Sequence, residues 1–66
     1  MKSDTPQNDR FLREAEVAHI TGLSRTTRWR LENRNEFPKR RRISSNSVAW
    51  LASEIRAWMV ERAQIA

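Results

Sequence analysis

The chain has 66 residues, no cysteine and a single histidine, so it holds one thin-cored domain with neither a disulfide framework nor a cysteine-based zinc site to stiffen it. Thirteen Lys and Arg against eight Asp and Glu give a net charge of +5 and a sequence pI near 11.4, with arginine far outnumbering lysine, the composition of a surface that meets a polyanion. His19 has no second ligand for a metal and no acid and nucleophile at catalytic spacing, and one glycine cannot make a glycine-rich phosphate loop, so neither an enzyme, a cofactor nor a small-molecule substrate is expected.

Met1 to Asp9 is polar, contains Pro6 and lacks an apolar period, which predicts a disordered tail ahead of a domain over residues 10–66. The polar N-terminus and short apolar runs predict no signal peptide and no membrane span, hence a cytoplasmic protein. Phe11 and Leu12 open the fold as a short extended piece beneath the helices. Glu14 to Ile20 reads as a first helix, with two glutamates in the first turn, where the helix dipole favours negative charge, and with Val17 and Ala18 facing inward.

Ala18-His19-Ile20-Thr21-Gly22-Leu23-Ser24 carries the strongest local signal. Gly22 suits the positive φ of a sharp turn between helices, Ser24 is an N-cap residue and Leu23 a hydrophobic staple. The pattern is that of a helix-turn-helix. Phased at 100° per residue, the second helix, about Arg25 to Arg34, turns Thr27 and Leu31 inward, with Ser24 at the start of that face. Arg25, Thr26, Trp29 and Asn33 point away, and Arg28 and Arg30 fall on the two flanks. Polar side chains that read base edges, flanked by cations, suit a helix lying in a major groove.

Asn35 and Pro38 end that helix, since Asn tolerates the left-handed conformation and Pro cannot continue a helix. Lys39-Arg40-Arg41-Arg42-Ile43 then reads as a cationic strand, Ser44 to Ser47 with Asn46 as a turn, and Val48-Ala49-Trp50 as a return strand. This hairpin is expected to act as a wing whose cations and Asn46 follow the DNA backbone. A last helix from about Leu51 to Ala63 carries Leu51, Ile55, Trp58 and Met59 as an apolar stripe, and Trp50 and Trp58 are expected in the core. The fold class is mainly α with a small β-hairpin, a winged helix-turn-helix.

Arg10 to Arg13, Glu16 to Ala18, Thr21 to Arg25, Thr27, Phe37-Pro38, Val48 to Leu51, Ser53 to Ile55 and Ala57-Trp58 form a string of separated motifs in one order. That string, from about Arg10 to Ala63, resembles the AlpA family of prophage regulatory proteins, which is similar in turn to excisionases and MerR-type winged helices. The resemblance implies a small DNA binder that regulates prophage transcription or directs excision. Three positions depart from the family's usual pattern. An aliphatic residue often stands where Arg28 is, so Arg28 either snorkels or sits over a looser core; Tyr is common at Trp29, and Gly at Asn35. The expected partner is double-stranded DNA, bound as a monomer or with weak self-association. A module that grips an integrase or other recombinase, RNA polymerase or a response regulator is the alternative. Salt-sensitive duplex binding would favour the first reading.

Overall fold

A computed structural model describes residues 9–64. The expected tail, apart from Asp9, lies outside the described residues. In chain order the elements are β1 (Phe11–Leu12), α1 (Glu14–Thr21), α2 (Arg25–Asn33), β2 (Arg41–Ser44), β3 (Ser47–Leu51) and α3 (Ala52–Ala63). The architecture is a winged helix-turn-helix: α1 and α2 across a tight turn, β2 and β3 as the wing, and α3 closing the core.

Local chemistry explains the turn. The α1 helix ends at Gly22, whose φ of 72° is left-handed and whose N–H donates to the Ala18 carbonyl at 2.8 Å. Thr21 Oγ1 donates to the Val17 carbonyl at 2.7 Å and accepts from the Leu23 N–H at 3.3 Å, bridging the last turn of α1 and the loop. Ser24 then caps α2, its Oγ accepting from the Thr27 N–H at 3.1 Å. A Cβ built on Gly22 meets nothing within 4 Å, so glycine is needed there for its backbone angle and not for space. Gly22→Ala is therefore expected to lower stability by about 1 to 2 kcal/mol, with Gly22→Asn losing less, both read from thermal midpoints. Equal midpoints for Gly22→Ala and the parent protein would show that the left-handed angle costs the chain nothing. Asn35 likewise adopts a positive φ, 61°, just beyond α2.

The sheet is antiparallel, with β3 between β1 and β2. The wing is more compact than the sequence suggests. Both strands reach further toward the tip, Ser44 and Ser47 pair, and only Ser45 and Asn46 remain as the turn. An irregularity between Arg42 and Ser44 displaces Ile43, which is exposed. Lys39 and Arg40 precede β2 and do not belong to it. Phe11 and Leu12 pair with Leu51 and Trp50 as a third strand, with Leu12 buried and Phe11 exposed.

Leu12, Val17, Phe37, Trp50, Ala52 and Ile55 form the core, with Leu23, Leu31 and Trp58 packed on its border. Trp50 takes its expected central position. Trp58, expected in the core, is half-buried at the edge, where its ring meets Phe37 edge-on at 4.8 Å and its Nε1–H donates to the Glu36 carbonyl at 2.8 Å. Leu51 ends β3 and caps α3 without a side-chain hydrogen bond. The missing cap comes from far away in sequence: Asp9 accepts from the Ser53 N–H at 2.9 Å and from its hydroxyl at 2.8 Å. Those donors, the backbone N–H first, hold the Asp9 carboxyl below its usual range. Asp9 thus belongs to the folded domain and not to the tail.

Candidate nucleic-acid interface

The α2 helix contains one aliphatic residue, Leu31, and that scarcity determines what its inner face must bury. Thr27 and Leu31 are half-buried as expected, but the deepest positions are Arg28 and Glu32, at 2% and 6% exposure. The inward arc is rotated by about one residue from the phase expected for a helix that hides its charges. Arg28 is therefore removed from the flank of the recognition surface. Its Nη1 donates to Glu14 Oε1 at 3.1 Å, its Nη2 to Glu14 Oε2, and its Nε to the Leu23 carbonyl at 3.3 Å. The guanidinium lies 5.6 Å from the Trp50 ring centroid. A buried arginine persists when its donors are met in this bidentate way. The same hydrogen bonds from Arg28 hold the Glu14 carboxyl below its usual range.

Arg25, Thr26, Trp29 and Asn33 point outward as expected and are exposed, Trp29 by 54%; Arg30, expected on a flank, and Ser24, expected at the start of the inner face, are exposed with them. Arg25, Thr26 and Trp29 line a cleft of about 250 Å³ whose remaining wall is Arg40. The cleft carries two guanidinia, a hydroxyl and an indole, with no carboxylate among its lining residues. The connection between helix and wing is thereby brought against the first two turns of α2.

The basic run divides into two kinds of cation. Arg40 Nε donates to Glu32 Oε1 at 3.1 Å, and Arg41 meets Glu54 through Nε at 3.4 Å and Nη2 at 2.6 Å. Lys39 and Arg42 are exposed, and among the described residues neither has a carboxylate partner; the same holds for Arg25 and Arg30. Asn46 stands exposed at the tip of the wing. Arg25, Arg30, Lys39 and Arg42 are thus available, as is the exposed Arg34 at the end of α2, while Arg40 and Arg41 are held in ion pairs. Glu32, an α2 residue that the expected interface does not include, proves to be the anchor of Arg40. Its spacing of four from Arg28, on a helix short of apolar residues, is the sequence feature that marks it. A larger hollow, about 600 Å³, lies between α3 and the connection after α2, but Glu36, Glu54 and Glu61 line it and would repel a phosphate backbone.

Over residues 10–63 the sequence matches the family described as Prophage CP4-57 regulatory protein (AlpA). The chain belongs to the AlpA family. A protein of Enterobacteria phage P4, described as Uncharacterized protein ORF88, is 48% identical to this AlpA chain over 54 residues, which make up 82% of the chain and 61% of the phage protein. The chain spans about three fifths of the length of the curated relative it matches. Residues 10–63 include every element from β1 to α3 and all the side chains of the α2 face and the wing. Among the described residues no helix is long and apolar enough to cross a membrane, and no group of acidic or histidine side chains could hold a metal ion.

Proposed function

We propose that this AlpA-family domain binds duplex DNA site-specifically, with α2 in the major groove and the wing along the flanking backbone, and regulates prophage genes in the cytoplasm. The supporting observation is the outward face of α2, where Arg25, Thr26, Trp29, Arg30 and Asn33 are exposed together beside Lys39 and a wing that presents Arg42 and Asn46. A capped helix with polar and cationic side chains on its free face is the element that docks in a major groove in other helix-turn-helix proteins. Arg25 and Asn33 are of the types that make bidentate contacts to guanine and adenine edges. The family description names a prophage regulatory protein, and control of transcription is the regulatory task that a major-groove helix supports; direction of excision by the same DNA-binding surface is the second reading, and it would add a recombinase contact.

Fluorescence anisotropy over a salt series tests the proposal. With Arg28 withdrawn from the surface, about three to five phosphates are left to be neutralised by Arg30, Lys39, Arg42 and the ion-paired Arg40 and Arg41, which gives a log affinity against log salt slope of roughly −2.7 to −4.5. Arg25→Ala and Asn33→Ala should relax preference at single base positions by about 1 to 3 kcal/mol each. Arg42→Ala should weaken all duplexes alike and reduce the slope by about one unit. A protein whose duplex binding is absent, or insensitive to salt, would remove the DNA reading and leave the protein-interaction module.

A further inference from the structure

Glu32 is an unexpected residue to find inside so small a core. It is 94% buried, one oxygen is taken by Arg40 Nε, and the other has no hydrogen-bond partner. Burying a carboxylate with an acceptor unmet is unfavourable, and an apolar residue of similar size would serve packing at least as well. The side chain does one thing that leucine could not: it fixes a guanidinium. Arg40 spends its Nε–H on Glu32, rests 5.9 Å from the Trp50 ring centroid, and lines the cleft with Arg25, Thr26 and Trp29. Its two Nη groups have no acceptor among the described residues and its side chain is 32% exposed. Arg25, the other cation of the cleft, is exposed and unpaired among the described residues.

Resting on the DNA-binding reading above, we propose that the cleft of Thr26, Trp29 and Arg40 clamps one phosphodiester of duplex DNA, and that Glu32 is the positioning residue that pre-sets Arg40 for it. An anion held there meets the planar Nη edge of Arg40, with the Thr26 hydroxyl and the Trp29 indole N–H as neutral donors. Because its guanidinium is already ordered, Arg40 loses little side-chain entropy on binding. A fixed phosphate contact at the N-terminal end of α2 sets the register of the helix in the groove, and the unrestrained Arg25 beside it is then free to read a base edge. The division of labour within the arginine is specific to its chemistry: Nε faces the protein and the Nη pair faces the ligand. Lysine has a single head, which Glu32 would capture.

The test uses the full chain and a duplex selected by it from a random pool, with a random duplex beside it. Glu32→Leu is expected to fold with an unchanged or raised thermal midpoint, yet to bind both duplexes about tenfold more weakly, the scale of one charged hydrogen-bonded contact. Its salt slope should fall by about 0.9 unit, one phosphate. Glu32→Gln, which keeps an acceptor for Arg40 Nε, should recover most of the loss. Should the leucine variant fail to fold, Arg40→Lys decides alone, since the clamp requires it to lose the same 0.9 unit although net charge is conserved. In a series of selected duplexes each carrying one neutral methylphosphonate, a single position should weaken the parent protein and leave Arg40→Lys unaffected. Parental affinity and slope in Glu32→Leu, or in Arg40→Lys, would overturn the clamp while leaving DNA binding intact. Absence of salt-dependent binding by the parent itself would overturn both.

Discussion

Trp50→Ala is expected to leave a chain with no cooperative unfolding transition at 25 °C. The indole is 1% exposed at the centre of the core, and its Nε1–H donates to the Pro38 carbonyl at 3.2 Å. Truncating a buried tryptophan to alanine costs about 3 to 5 kcal/mol. A domain of this length has on the order of 3 to 10 kcal/mol in all. More than packing is lost, because the guanidinia of Arg28 and Arg40 both lie over that ring and would face a void. Trp50→Phe keeps a ring for both and should retain a folded state with a lowered midpoint. Near-ultraviolet circular dichroism and a thermal melt distinguish the cases; a cooperative melt of Trp50→Ala near the parental midpoint would show that the core is held elsewhere.

The second large effect is an asymmetry within one ion pair. Removing Glu14 by Glu14→Leu strands the buried Arg28 guanidinium and should cost about 1 to 3 kcal/mol, moderated because Glu14 itself is half-exposed. Removing the arginine by Arg28→Leu should be close to neutral, since leucine occupies the site without a desolvation penalty and the half-exposed Glu14 left behind can be hydrated. Duplex affinity and its salt slope should be unaltered in Arg28→Leu, for that side chain is inside the protein. A reduced slope would return Arg28 to the DNA face. The pair also sets an acid response. Because the folded-state pKa of Glu14 is depressed, its contribution is fully present above the ordinary glutamate value of about 4.3 and is lost as pH falls through the folded value. The Arg28→Leu protein should lack that part of the acid dependence.

What could be read from the sequence was what is settled over a few residues. Gly22, Ser24 and Asn35 act through their own backbone angles or by accepting from a backbone N–H three residues away, and each takes the conformation its chemistry predicts. The wing was legible for the same reason, with its turn too long by two residues because serine favours turns as readily as it tolerates strands. Arg28 was misplaced and Glu32 given no place because periodicity treats a charge as a mark of the outer face, whereas here their partners are Glu14, fourteen residues earlier, and Arg40, eight residues later. No local spacing encodes such partners. The exposed set Arg25, Thr26, Trp29, Arg30 and Asn33 survives that rotation because it occupies the far side of the helix. Arg40 and Arg41 read as a uniform basic run, and only the fold distinguishes a guanidinium held by Glu32 or Glu54 from a free one.

The pairing of Phe11 with Leu51, and of Asp9 with Ser53 across 44 residues, has a consequence for synthesis. Both helices of the turn and the whole wing are built from neighbours in sequence, whereas β1 waits for a partner strand made well after it. Forty residues separate Phe11 from Leu51, which at typical elongation rates is an interval of about 2 to 8 s. Throughout it the nascent α1 and α2 lack the strand and the third helix that cover Val17 and Leu31. Chaperone capture and self-association compete with folding in that window, and the competition ends when the release of Leu51 and Ser53 lets the first strand dock and the last helix receive its cap.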